Sequence, residues 1–391
     1  MEKKDCIIFL GSLATAYARG VLCGVAQTLE SQPALQGYAV HHVDIHEIYK
    51  LDTRGVAGML VASLGDQAHI HKTLADTRIP MVSVVGDKHT PWLRYCVRAD
   101  NEAIGRVAAA HLLGLGFRRF AFLGHGGHLA MARRGEGFTA AIAERNFEVR
   151  CFSGSADRAG RRMWPPGMRE WIEKIEKPAA VFCCNDLRAN ALMLVCHSAG
   201  IRVPEDIAVL GVDDDDIFAK LQRPHISSIP VQTQLIAERA LLMLVQLIEN
   251  QTPLQTLSLV KPGPVVMRAS TNIMAVEDEL VRHALAYIRQ NLSHGISIKH
   301  LVSELNVSRP TLEKRFAAML GRSPASEIRR LQIEQACDLL TNTELSMPMI
   351  ALRTGFSSAQ QLSTSFKRYT QQSPTQYRIE HSPRVRREIS P

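Results

Sequence analysis

Three polar groups stand just beyond short apolar runs of the chain. Asn185 follows Ala179 to Cys184, Asp213 follows Ile207 to Val212, and Arg134 lies past a glycine- and histidine-rich loop (Gly124 to His128) that follows Arg119 to Leu123. A carboxamide, a carboxylate and a guanidinium converging on one crevice suit a polyhydroxylated ligand, because each can satisfy vicinal hydroxyls with paired hydrogen bonds. Some neighbouring polar residues have a structural use instead. Asp100 is expected to N-cap a helix beginning at Asn101, and one of Asn185 or Asp186 to cap the next helix. His125 and His128 have no third ligand at useful spacing, so no metal and no cofactor are expected. The chain contains no Gly-x-Ser-x-Gly, no phosphate-cradling loop ending in Lys-Ser/Thr and no carboxylate pair that spacing marks as catalytic, so it is not read as an enzyme.

A second set of polar side chains occurs near the C-terminus, where one pattern appears twice: Ile298 to Leu320 and Met349 to Tyr369. Each copy reads as a short amphipathic helix, a turn and a second helix. In the first, Ser297 caps, Asn306 supplies a left-handed turn, and Ser308 caps a helix with Pro310 in its first turn and Leu312, Phe316, Met319 and Leu320 inward. In the second, Gly355 makes the turn, Ser357 or Ser358 caps, and Leu362, Phe366 and Tyr369 point inward. The outward residues are then Arg309, Pro310, Thr311, Glu313 and Lys314 on one helix and Gln360, Gln361, Ser363 and Thr364 on the other. Gln pairs with adenine, Lys with guanine, and Thr offers a methyl or a hydroxyl, so these helices are expected to read base edges. Charge agrees: Ser297 to Arg387 holds 14 Lys and Arg against 7 Asp and Glu, nearly the whole chain's net +8.

The elements that must position these groups alternate. Cys6–Leu10, Val56–Val61, Met81–Val85, Arg119–Leu123, Ala179–Cys184 and Ile207–Val212 read as buried parallel strands, and helical patterns over 101–115, 135–145, 187–199 and 233–249 separate them. This predicts a doubly wound α/β architecture, with the ligand at the carboxyl ends of the strands. Lys3 and Lys4 ahead of an apolar run could pass for a secretory signal, but a first strand over Cys6 to Leu10 with a helix from about Tyr17 is the preferred reading. Eight cysteines without a Cys-x-x-Cys are read as free thiols in a reducing compartment. At 391 residues more than one domain is expected. The division expected is a sensor over 1–265, a linker over 266–276, a helical domain over 277–380 and a basic tail over 381–391.

The C-terminal stretch resembles the DNA-binding domain of AraC/XylS-type transcription regulators. The resemblance is carried by Gly355-Phe356-Ser357-Ser358, Phe366-Lys367-Arg368, Ser373-Pro374 and Tyr377-Arg378, with Gln371 standing where the family usually has Gly. Residues 5 to 265 resemble the effector domain of LacI/GalR-type repressors and of periplasmic sugar-binding proteins. The matching residues are Asp100-Asn101, Gly116 to Gly124, Arg134 with Gly137-Phe138, Asn185-Asp186, Gly200 to Ile207, Gly211 to Asp214 and Pro224 to Ile229. By position, Arg134, Asn185 and Asp213 match residues that hold a sugar in those proteins, whereas Val231 lacks the hydrogen-bonding group often found near its position.

The order of the two modules resembles the XylR branch of the AraC/XylS family, with Ala16-Tyr17-Ala18-Arg19, Arg268-Ala269-Ser270-Thr271, Tyr287-Ile288-Arg289 and Leu312 to Phe316 as matching stretches. This implies a two-lobed, type I periplasmic-binding-protein-like sensor with doubly wound parallel sheets, followed by an all-α domain with two helix-turn-helix motifs. It adds Tyr17 and Arg19 to the expected ligand site, although Ala18 stands where xylose-responsive relatives can carry an acidic residue. It further implies a cytoplasmic homodimer that binds a double-stranded operator, answers to a small-molecule effector such as D-xylose or another sugar, and works with RNA polymerase on carbohydrate-catabolic promoters, with no membrane partner. The alternatives are the same regulator with a non-sugar effector, and a transport-type solute-binding protein.

Overall fold

Val56–Val61 and Ile207–Val212 are buried at every position, as in strands covered on both faces. The computed structural model describes residues 6–45, 47, 52–62, 74, 77–85, 93–126, 129–152, 154, 165–273 and 276–381. The chain divides into two compact units, Met1–Ile273 and Met274–Pro391.

The first unit holds two sheets whose strand pairs all run parallel. One contains β1 (Cys6–Leu10), β2 (Ala39–Val43), β3 (Val56–Val61), β4 (Met81–Ser83), β5 (Tyr95–Ala99) and β11 (Leu257–Val260), in the order β11-β5-β4-β3-β1-β2. The other contains β6 (Phe120–Leu123), β7 (Val149–Phe152), β8 (Ala179–Cys183), β9 (Ile207–Val212) and β10 (Ser227–Ile229), in the order β10-β9-β8-β6-β7. Each sheet therefore reverses winding once, at β1/β3 and at β6/β8. The crevices at such switch points, past the strands' carboxyl ends, are where α/β folds bind ligands.

The six strands read from sequence are present. β2, β5, β7, β10 and β11 lack that signal because they are edge strands with exposed positions, carry a buried arginine (Arg98) or consist largely of buried serines (Ser227 and Ser228). The helices are α1 (Ala16–Ser31), α2 (Asn101–Gly114), α3 (Leu129–Ala143), α4 (Met168–Glu173), α5 (Asp186–Ser198), α6 (Phe218–Leu221) and α7 (Thr233–Ile248). α3 begins a turn and a half before the expected Gly135. It crosses α2 at unusually short range: a Cβ on Gly105 would lie 2.2 Å from the Arg134 carbonyl oxygen, and one on Gly137 would lie 2.3 Å from that of Glu102. This crossing sets Arg134 beside the first turn of α2.

The stretch expected to be a linker is partly built into this unit. Val266 bridges Ser228, and Ser270 and Thr271 are fully buried. Polar residues hide there because hydrogen bonds to β9 and β10 satisfy them. The expected basic tail lies, beyond residue 381, outside the described residues.

The second unit contains α8 (Glu279–Asn291), α9 (Ile298–Glu304), α10 (Arg309–Leu320), α11 (Pro324–Asn342), α12 (Met347–Arg353), α13 (Ala359–Thr370) and α14 (Pro374–His381). The two helix-turn-helix units are α9–α10 and α12–α13. Asn306 makes the first turn at φ 49° and Gly355 the second at φ 71°. Asn tolerates the left-handed region, but the second site admits only glycine: a Cβ on Gly355 would lie 2.0 Å from the Leu292 carbonyl oxygen. Ser308 and Ser358 cap α10 and α13. Leu312 and Phe316 on one helix repeat as Leu362 and Phe366 on the other, all fully buried.

Two inward assignments are corrected. Met319 and Tyr369 are each 43% exposed, because both sit in the last turn of their helix, beyond the buried phenylalanine. Between the two units, α11 is pinned at its start by Glu327, buried between Arg322 (2.5 Å) and Arg330 (2.8 Å). Burial acts to raise that carboxyl's pKa, but the hydrogen bonds and charges of the two arginines outweigh it and the net shift is downward.

Gly321 ends α10 at φ 66°, and Gln371 ends α13 in the same left-handed conformation at φ 62°. A side chain at that position is strained where glycine is not. Gln371→Gly is expected to stabilise the protein by about 0.5–1 kcal/mol, less the added freedom of the unfolded chain. The urea midpoint of the chain measures it; a lowered midpoint would contradict the strain.

Candidate functional site

In the first unit the sequence-selected groups converge on Arg134. Arg134 is 5% exposed, and a buried cation requires acceptors on every side. Nε donates to Asn101 Oδ1 at 2.9 Å, Nη1 to the Cys184 carbonyl oxygen at 2.5 Å, and both terminal nitrogens approach Asp213 Oδ1 at 3.5 Å. The first residue of α2, the end of β8 and the end of β9 are thereby brought to one point. Burial pushes the Asp213 carboxyl up, and Arg134 holds it partly back. Asp213 and Asp214 have φ of 103° and 52°. Two successive non-glycine residues in this region mark the loop after β9 as strained, as binding loops often are.

Tyr17, at the start of α1, is half-buried and donates to the Val84 carbonyl oxygen. Burial raises its pKa, with Cys96 and Asp213 adding to the rise and Arg134 and Arg98 opposing it, so Tyr17 lies within electrostatic reach of both pocket charges. Asn185 caps α5: its Oδ1 accepts from the Arg188 N–H at 2.9 Å, so the side chain has a structural use. Arg19 is engaged elsewhere. It donates to the carbonyls of Leu13 (2.9 Å) and Ala14 (3.1 Å) in the loop after β1 and to Asp215 Oδ2 (3.1 Å), an ion pair joining the first turns of α1 to the loop after β9.

Asn101, Arg98 and Asp215 complete this site and were not selected from sequence. Arg98 lies near the end of β5, which lacked a strand pattern, so neither the strand nor the buried arginine was legible in the sequence. Beneath the loop, Asp186 accepts from Ser228 Oγ (2.7 Å) and from the Asp215 N–H (2.8 Å); burial pushes its carboxyl well above the usual range, and the charge of Asp213 adds to this.

In the second unit the outward residues of α10 and α13 divide by what they touch. Arg309 pairs with Glu313 at 2.9 Å, Thr311 Oγ1 meets Ser308 Oγ at 2.8 Å, Gln361 Oε1 accepts from the Ser357 N–H and Oγ, and Thr364 Oγ1 donates to the Gln360 carbonyl. Pro310 is exposed in the first turn of α10. Lys314, Gln360 and Ser363 make no side-chain bond among the described residues, and Lys314 and Gln360 are exposed. Lys299, Arg353, Lys367 and Arg368 are also exposed without an ion-pair partner among those residues. Two helices offering base-edge donors beside unneutralised cations are suited to a DNA duplex.

Residues 109–271 match the family model of the periplasmic binding protein-like domain, and residues 301–379 that of a helix-turn-helix domain. Over 387 residues the chain is 28% identical to the xylose operon regulatory protein of Escherichia coli (strain K12), covering 96% of this chain and 97% of that one. Its counterpart in Haemophilus influenzae (strain ATCC 51907 / DSM 11121 / KW20 / Rd) is 26% identical over 388 residues, covering 95% and 98%. The solved structure of the xylose-binding transcription activator xylR superposes with a TM-score of 0.81 at 26% identity, covering 96% of this chain and 98% of that one. The chain is a sugar-responsive DNA-binding transcription regulator, similar over nearly its whole length to the xylose operon regulatory proteins. As in that structure, one chain of this regulator carries both the α/β sensor and the paired helix-turn-helix units. Among the described residues of the regulator no helix is long and apolar enough to cross a membrane.

Replacing Arg134 by Met in this regulator strands Asp213 and the Cys184 carbonyl. A loss of about 3–5 kcal/mol is expected, as for breaking a buried pair. Asp213 already has a raised folded-state pKa, so its contribution is full below the unfolded carboxyl range and is lost as pH rises through the folded value. Without Arg134 that decline should grow and extend to higher pH. Chemical denaturation of both proteins across pH measures it, and parallel profiles would place Arg134 too far from Asp213 to matter.

Proposed function

We propose that the chain is a sugar-responsive activator of a carbohydrate catabolic operon, working in the cytoplasm as a homodimer that recruits RNA polymerase, with D-xylose the first candidate effector. The observation that carries this reading is the buried Arg134–Asp213 pair at the carboxyl ends of β8 and β9. With Asn101 and Tyr17 beside it, the pair presents donors and acceptors in the alternation that vicinal hydroxyls require. Effector binding would favour a closed arrangement of the two lobes, to which the Arg19–Asp215 pair already contributes. The relatives named as xylose operon regulators support D-xylose ahead of other sugars.

A second reading keeps the regulator and changes the effector. Ala18 and Val231 are apolar and buried, 2% and 7% exposed; the resemblance puts the first where xylose-responsive relatives can carry an acidic residue and the second near a position where sugar binders often have a hydrogen-bonding group. An effector with fewer hydroxyls, such as a deoxysugar, is the alternative this favours. A thermal-shift screen against pentoses, hexoses, deoxysugars and sugar acids separates the readings, since any ligand of the folded state raises its stability. D-xylose is expected to raise Tm, and Asp213→Asn to abolish the rise. A rise with a deoxysugar alone would favour the second reading, and no rise with any sugar would remove the carbohydrate.

For DNA, the expected base-reading residues are Lys314 and Gln360. Truncation of either to Ala is expected to cost about 1–3 kcal/mol at one base pair and to relax preference there. Lys367→Ala, by contrast, should weaken all duplexes alike and reduce the salt slope by about 1. Binding titrations on duplexes selected from a random library distinguish the two; a uniform loss for Lys314→Ala would make it a phosphate contact.

A further inference from the structure

Asp213 and Asp214 are consecutive, both at positive φ, and they send their carboxylates to different partners. Asp213 faces Arg134 at 3.5 Å, whereas Asp214 accepts from Arg268 Nη2 at 2.6 Å. Arg268 lies in the segment that closes the first unit, five residues before its end at Ile273. Beyond Ile273 the chain runs directly into the unit that bears the two helix-turn-helix motifs.

Hydrogen bonds, more than apolar contact, hold that segment. Arg268 Nη1 donates to the Ile226 carbonyl (3.0 Å), and its backbone N–H and carbonyl both bond Ser227 Oγ (2.8 Å each). Ser270 Oγ donates to the Val209 carbonyl (2.5 Å) and accepts from the Ser227 N–H (2.8 Å), while Thr271 Oγ1 donates to Ser227 Oγ (2.7 Å). Ser227, Ser270 and Thr271 are wholly buried. A satisfied buried network has few alternative arrangements, so it transmits a displacement in place of absorbing it. Another ion pair of this loop, Arg19–Asp215, reaches the start of α1 instead and, among the described residues, makes no bond to residues 266–273.

We propose that the Asp214–Arg268 ion pair couples the effector pocket to the DNA-binding unit, so that a change at Asp213 is passed through one shared, strained turn to the segment leading into the helix-turn-helix pair. The inference rests on the reading of Asp213 as an effector contact. A ligand that bonds the Asp213 carboxylate alters the turn, the turn carries Asp214, and Asp214 carries Arg268 with the serine and threonine network behind it. Among the described residues the Arg268 and Asp214 side chains make no bond to Arg134, Asn101 or Tyr17; they are positioning residues.

The test compares the full chain with its Arg268→Gln, Arg268→Lys and Asp214→Asn variants. Tm is measured against the sugar panel, and DNA affinity on a selected duplex with and without the sugar that raises Tm. In the parent chain the sugar should change DNA affinity about 5- to 150-fold, the usual span of allosteric coupling. In Arg268→Gln and Asp214→Asn the same sugar should still raise Tm but leave DNA affinity unchanged, with Arg268→Lys partly restoring the response. An undiminished response in both variants overturns the proposal, whereas a variant that also loses sugar binding points to a role in the pocket and likewise overturns it. Amide hydrogen exchange of residues 266–273 serves without any effector: Asp213→Asn should change their protection in the parent chain and not in Arg268→Gln. Should no sugar raise Tm, the effector reading fails and this exchange experiment alone decides the coupling, unchanged protection overturning it.

Discussion

The sensor is arranged around one buried cation. Arg134 is enclosed by Asn101, the Cys184 carbonyl and Asp213, and an arginine taken out of water persists only if acceptors surround it. Each acceptor comes from a different element: the first turn of α2, the end of β8 and the end of β9. The elements must therefore meet at one place, and the reciprocal glycines Gly105 and Gly137 allow it by letting α2 and α3 approach to backbone contact. A pocket with polar groups fixed before a ligand arrives loses little entropy on binding, which favours specificity for one hydroxyl pattern.

The DNA-binding unit solves a different problem with the same chemistry. Its recognition helices must present polar side chains outward while their own first-turn N–H groups remain satisfied. Ser308, Ser358 and Gln361 do the capping, and Arg309 and Glu313 satisfy each other. What is left over among the described residues, Lys314, Gln360 and Ser363, is the set without such a bond, which is why base edges are proposed for it. Leu312, Phe316, Leu362 and Phe366 hold the helices from behind, so the reading surface is rigid and the discrimination lies in the side chains.

Both units place strain at or near the proposed sites. The left-handed pair Asp213–Asp214 lies at the pocket, and Gln371 ends the second recognition helix where its counterpart Gly321 is unstrained. In the first case the strain gives two adjacent carboxylates two different partners. In the second it is a local cost, borne by the helix that carries Gln360.

Local features were legible along the chain, because they depend on residues within a turn or a strand of one another. The apolar runs of β1, β3 and β9, the turns at Asn306 and Gly355, and the caps at Asp100, Ser308 and one of Ser357 or Ser358 follow from periodicity and from which residues tolerate which backbone. The duplicated helix-turn-helix and its charge required nothing more. β5 and β10 were hidden, since a buried arginine or serine is stable in a strand only when its partners are known, and those partners lie elsewhere. For the same reason tertiary structure alone decided that Asn101 meets Arg134 Nε, that Arg19 pairs with Asp215, and that residues 266–273 belong to the sensor. A hydrogen bond reaches about 3 Å, whereas these pairs are separated by 33 and 196 residues; only the winding order of the two sheets brings them within that reach.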